Sequence, residues 1–228
     1  MLFRSLLGLI VLVAAGPAGC AKAGFEGGGT TEPDAEIDAP VAPPDDAAID
    51  SPGMMPDAPP CTMATTQVLT NPAFDLSPAG MGWTEQPFDP TINIITTAGP
   101  AAPSAPYKAW LGGYEAASTD VMYQDFVMPN GTTMLTLSGS YAIGSTDSPT
   151  VVKDTAAVEL LDGGTQFATI KTFDNTMSTG GWTTMMASVP VSGRSGHTIR
   201  LRFTAICDGA ANTNFFFDSL SLTAAYCE

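Results

Sequence analysis

Basic side chains and histidine are scarce in this chain: eight Lys and Arg stand against 23 Asp and Glu over 228 residues, and His197 is the one histidine. Displacing counterions from phosphates takes clustered Lys and Arg, so a formal charge of −15 excludes nucleic acid as a partner. A single histidine also excludes a multi-histidine zinc centre and leaves at most one Ser-His-Asp constellation. That constellation has little to build on. His197 lies between Gly196 and Thr198, and no Gly-x-Ser-x-Gly elbow occurs in the chain. Paired carboxylates for hydrolytic acid and base work have no recognisable setting; Asp162, Asp174 and Asp208 sit in turn-like sequence, where Asp commonly shapes the turn. The expectation is a protein that is not an enzyme. No long 3.6-residue apolar stripe is present, which excludes a helical bundle, and 23 Gly with 19 Pro imply many turns.

The N-terminus has the layout of an export signal. Arg4 precedes the apolar run Leu6 to Ala15, and Pro17-Ala18-Gly19 lead into Cys20. About ten apolar residues are too few for a spanning helix, which needs about 20. Small residues before a Cys resemble the lipobox of bacterial lipoproteins. The resemblance implies that 1–19 is a signal peptide and that Cys20 is lipidated as the mature N-terminus. Pro17 stands where an aliphatic residue is usual, so ordinary secretory cleavage nearby is the alternative. Ala21 is not the Asp that retains such proteins in the inner membrane, which implies the outer membrane or cell surface.

Residues 20–60 then change character. Positions 21–60 hold eight Pro, eight Ala and nine acidic residues against Lys22, with Phe25 the sole aromatic. Such a stretch buries too little apolar area to offset its conformational entropy, so a disordered tether is expected. In polyproline geometry, at about 3.1 Å per residue, it reaches on the order of 100 Å. The lipid anchor is then the only expected contact with a membrane.

Positions 61–228 read as strands. Ile199, Leu201, Phe203 and Ala205 alternate with Thr198, Arg200, Arg202 and Thr204, a period of two with one wet face. Similar runs fall at 119–128, 132–143, 154–161, 165–173, 182–189 and 214–223. Pro129-Asn130-Gly131, Asp162-Gly163-Gly164 and the 192–196 segment separate them. Many short strands at this spacing give an all-β sandwich or barrel.

The order of several short pieces adds a family resemblance. Asn71 to Asp75, Gly82-Trp83, Ala109 to Gly113, Val158 to Gly164, Gly181-Trp182, Thr198 to Phe203 and Phe215 to Leu222 follow one another as in the galactose-binding-like, carbohydrate-binding-module-like jelly rolls appended to secreted bacterial proteases and glycosidases. The resemblance covers about 68–223 and implies a jelly-roll β-sandwich that binds carbohydrate or an extracellular or envelope partner. The alternative is a structural or adhesive envelope lipoprotein without a small-molecule site.

Sugar recognition needs an exposed aromatic face with planar polar groups beside it. Trp83 and Trp110 have the spacing of the family's core tryptophans; Trp182, after Gly180-Gly181 at a strand start, is the better exposed candidate, with core or half-buried packing as its alternative. Tyr141 is expected to line a groove, and Tyr107, Tyr114 and Tyr123 could line it too. Arg200 and Arg202 share a polar strand face, where they either contact ligand or pair across strands with carboxylates such as Glu159 or Asp154. In the resembling domains the first and last strands lie close together, which implies a Cys61–Cys227 disulfide. A Cys207–Cys227 bridge is disfavoured if 198–206 and 215–226 form a hairpin with those cysteines at opposite ends. The same domains carry a structural Ca²⁺. The matching positions are the carboxylates of Asp75 and Asp218 and a backbone carbonyl near Lys108; the alternative is that Asp75 caps a turn and Asp218 bonds a neighbouring amide.

Overall fold

A computed structural model describes residues 61–227; the expected signal peptide, 1–19, and the expected tether, 20–60 with Cys20, lie outside the described residues. Eleven strands form among the described residues. In chain order they are β1 (Met63–Gln67), β2 (Thr84–Gln86), β3 (Ile95–Thr96), β4 (Lys108–Gly112), β5 (Ser118–Val127), β6 (Thr132–Ser145), β7 (Thr155–Asp162), β8 (Thr165–Asp174), β9 (Thr183–Pro190), β10 (Thr198–Cys207) and β11 (Thr213–Cys227). They build two antiparallel sheets. The first runs β3-β4-β11-β6-β9 with β1 also on β11, and the second runs β2-β5-β10-β7-β8. The fold is the jelly-roll sandwich that the alternation and the resemblance implied.

Apolar alternation positions the layers. The inward residues Ile199, Leu201, Phe203 and Ala205 of β10 face Phe215, Phe217, Leu220 and Leu222 of β11, all of them buried. A register shift between Asp218 and Ser221 changes which positions of β11 point inward, so the buried set passes from Phe217 to Leu220 without losing the core. Rings join the two sheets in one chain: Phe74 to Trp83 at 5.2 Å, Trp83 to Phe203 at 6.1 Å, Phe203 to Phe217 at 5.0 Å, Phe217 to Phe173 at 5.3 Å. Each such pair adds about 0.5–1.5 kcal/mol beyond area burial. Trp83 is therefore core, as its spacing implied, with its indole N–H donated to the Asn71 carbonyl.

The Asp162-Gly163-Gly164 turn joins β7 to β8, pairing Asp162 with Thr165. Both glycines have positive φ, 55° and 84°, as a two-residue turn with the strands' own twist requires. The hairpin of 198–206 with 215–226 does not form. β10 pairs with β5 and β7 in one sheet and β11 with β4, β6 and β1 in the other, because residues 208–212 carry the chain across the sandwich. The implied disulfide is present all the same: Cys61 bonds Cys227, with Cα atoms 5.4 Å apart, and Cys207 is a buried free thiol. Burial, and then the nearby Asp154, push that thiol's pKa up to about 11, so it is neutral and shielded.

Candidate functional site

Trp182, Tyr141, Arg200 and Arg202, the expected ligand contacts, are not brought together. Arg200 and Arg202 lie on the outer face of the β2-β5-β10-β7-β8 sheet, while Tyr141 and Trp182 belong to the opposite sheet or its edge. Arg200 makes two bonds to Asp125, Nε to Oδ1 at 2.7 Å and Nη2 to Oδ2 at 2.8 Å, and its guanidinium lies 3.6 Å from the Tyr123 ring centre. The Arg200 bonds hold the Asp125 carboxyl below its ordinary pKa. Arg202 donates through Nε and Nη2 to Glu159 Oε2 at 3.0 and 2.7 Å. Cross-strand register decides the partners, since Arg200 opposes Asp125 and Arg202 opposes Glu159. Both arginines are thus engaged, and Asp154 accepts from the Asp208 amide instead of pairing with either.

Tyr141 faces the interior. On β6 it shares parity with Leu135, Leu137 and Ile143, so alternation turns its ring onto Phe173 at 4.8 Å. Trp182 is half-buried, not an exposed platform. Its indole N–H donates to the Ala101 carbonyl at 2.8 Å and its ring lies 6.4 Å from Phe216. It holds the 97–106 segment over the outer face of its sheet.

Trp110 departs from the core position implied for it. Ala109 and Leu111 on either side point inward and are fully buried, so the pleat carries Trp110 outward. There it lines a cleft of about 170 Å³ together with Tyr114, Ile92, Asn93 and Ile94. The Trp110 ring is held in place. Trp110 Nε1 donates to Asn214 Oδ1 at 2.9 Å, its ring packs on Phe216 at 5.4 Å, and Asn214 Nδ2 donates to the Gly144 carbonyl at 3.2 Å. Gly113, at φ 87°, is required for that bond, because a Cβ there would run into Asn214 Oδ1. Tyr114 packs edge-on against Phe88 at 5.2 Å. Buried Asp120 of β5 accepts from the Phe88 and Gly112 amides, each at 2.7 Å, and so ties to β5 both Gly112 of the cleft and Phe88, on which Tyr114 packs. Burial raises the Asp120 carboxyl pKa against the pull of those two bonds. The alternation in Ala109-Trp110-Leu111 was the signal that separates this tryptophan from the core.

Asp75, Asp218 and Lys108 do converge. Ser104 bridges the two carboxylates, its hydroxyl on Asp75 Oδ2 and its amide on Asp218 Oδ2 at 2.7 Å, while the Ser219 amide bonds Asp218 Oδ1 at 2.6 Å. Asp218 is fully buried. Burial raises its pKa, Asp75 raises it further, and Lys108 works the other way. Asp75 Oδ1 is buried without a hydrogen-bond partner. The backbone bonds to Asp218 are those of the amide-binding alternative; the orphaned Asp75 oxygen fits an oxygen-seeking cation. A separate acidic cluster, Asp147, Asp154 and Asp208, brings one oxygen from each residue within 4.8 Å of the others. His197, the sole histidine, pairs its Nδ1 with Asp162 Oδ2 at 2.8 Å on the exposed turn before β10.

No protein-family model matches this chain, and no curated protein does. Among solved structures it is similar to TmCBM61 in complex with β-1,4-galactotriose, at 15% identity and a TM-score of 0.46, over 69% of this chain and 97% of that one. It is similar to the K3 adhesin domain of Lys-gingipain from Porphyromonas gingivalis w83, at 14% identity and a TM-score of 0.44, over 70% and 99%. It is also similar to the arabinose-bound MgGH51 α-L-arabinofuranosidase, at 16% identity and a TM-score of 0.45, where 69% of this chain spans only 26% of the enzyme.

Proposed function

We propose that this chain is a surface-tethered, non-catalytic module that binds carbohydrate, with one sugar residue seated in the Trp110–Tyr114 cleft. The observation that carries the reading is a small cleft lined by two aromatic rings, Trp110 and Tyr114, each packed against a neighbouring ring, with a polar side chain, Asn93, on the same lining. An apolar sugar face packs on an aromatic ring, and planar amide groups bond the hydroxyls. The volume lies below the roughly 300 Å³ at which drug-sized sites begin, so it suits a terminal sugar unit better than a chain laid along a groove. With 14 acidic and six basic residues in 61–228, an uncharged glycan is favoured over an anionic one. The test is a glycan array probed with the purified protein. Trp110→Ala should weaken binding by about tenfold or more, equivalent to about 1.4 kcal/mol, and Tyr114→Ala should weaken it too. Undiminished binding by both variants, or no binding to any glycan, would reject the assignment. Tethering through Cys20 predicts diacylglycerol on that residue by mass spectrometry and release of the protein by Cys20→Ala.

Asp75 and Asp218, with a carbonyl near Lys108, would hold a calcium ion. Bound there, the ion would neutralise two carboxylates drawn together by the fold and pin the 97–106 segment, through Ser104, to β11. Calcium should raise the melting temperature over that in chelator, and Asp218→Asn should reduce the increment. An equal increment in wild type and Asp218→Asn would speak against this site.

A further inference from the structure

We propose that Asp147, Asp154 and Asp208 form a second calcium site, at the end of the sandwich where the β6–β7 and β10–β11 connections meet. Asp154 is fully buried and the Asp147 side chain is 4% exposed, yet Oδ2 of each has no hydrogen-bond partner. Leaving a buried polar atom unpaired forfeits its hydration without return, and the loss is larger for a charged one. The remaining oxygens are already engaged. Asp154 Oδ1 accepts from the Asp208 amide at 2.8 Å, Asp147 Oδ1 from the Ser148 amide at 2.6 Å, and Asp208 Oδ1 from the Ala210 amide at 2.8 Å. Each carboxylate is therefore oriented by backbone through one oxygen.

Charge and chemistry select the ion. Lys153 pairs with Asp147 at 3.3 Å and balances one of the three carboxylates, leaving the charge of one divalent cation. The donor set is oxygen only, which suits a hard ion. Ligands around one Ca²⁺ at about 2.3–2.6 Å lie no more than about 5 Å apart, and these oxygens fall within 4.8 Å. Asp208 is exposed, so its side stays open to the waters that complete six to eight ligands. Asn175 fixes the loop in advance, accepting from the Lys153 and Asp154 amides and donating to the Ser148 and Val151 carbonyls. The site would lock the two connections that carry the chain between sheets.

Calorimetric titration of the chelator-treated protein with calcium chloride tests it. Asp208→Ala, at an exposed position, should bind one ion fewer than wild type, or bind it about tenfold or more weakly, with its melting temperature in chelator little changed. Lys153→Gln should bind calcium more tightly, since it removes the competing ammonium. Asp147→Asn is a second variant should Asp208→Ala misfold. An Asp218→Asn protein separates this site from the one at Asp75, because it should retain the ion that Asp208→Ala loses. Wild-type stoichiometry and affinity in Asp208→Ala and Asp147→Asn, or no calcium bound by wild type, would overturn the proposal.

Discussion

Replacing Cys61 and Cys227 together by Ala should lower the stability of the described domain by about 2–5 kcal/mol, a fall in melting temperature on the order of 10 °C. The bridge spans 166 residues, so in the unfolded chain it closes a loop as long as the domain itself. On the chain-entropy account, long closures withhold the most freedom from the unfolded state. The folded state should lose little geometry. β1 stays in register with β11 from Met63 opposite Cys227 to Gln67 opposite Thr223. However, β1 alternates only between exposed and half-buried positions, so it contributes little burial of its own. It should become the first strand to open, seen as faster amide exchange across 63–67. A reductant should reproduce the shift in the wild type and leave the double variant unmoved. A double variant that melts within about 2 °C of the wild type would refute the account.

How far the chain discloses this architecture depends on which interactions are local. Alternation in Thr198–Ala205 is a property of neighbouring residues, and it names the buried face of β10 without knowledge of any partner. The brief strands β1, β2 and β3 are defined by their pairings, five for β1, three for β2 and two for β3, and the partners of β1 and β2 lie far along the chain. Trp110 was legible from its two small or apolar neighbours, but the family spacing pointed it inward, and the pleat prevails over the analogy. The arginine partners required the register. Asp125 and Glu159 are equally acidic on the page, and only strand pairing assigns one to Arg200 and the other to Arg202. Asp147, Asp154 and Asp208 are farthest from legibility, since closure of two connections gathers them across 54 residues of chain between Asp154 and Asp208.

Asn175→Ala should destabilise the domain by about 3–5 kcal/mol, although Asn175 is a small polar residue at the start of a single helical turn, Asn175–Met177. It is 1% exposed, and its amide group makes four bonds to backbone: Oδ1 accepts from Lys153 at 2.8 Å and Asp154 at 3.2 Å, and Nδ2 donates to Ser148 at 2.7 Å and Val151 at 2.9 Å. Truncation removes all four partners at once. The amides and carbonyls left behind are partly enclosed, and each loses about 1 kcal/mol or more where water does not replace the amide. Asn175→Asp separates hydrogen bonding from packing. A carboxylate keeps both acceptor bonds but offers no donor to Ser148 and Val151, and it adds a negative charge beside Asp154. It should therefore be no more stable than the Ala variant in chelator, and calcium should restore more of its stability. Denaturant unfolding of both variants, with and without calcium, measures this. A loss below about 1 kcal/mol for Asn175→Ala would mean that residues 148–154 hold their path without the amide clamp.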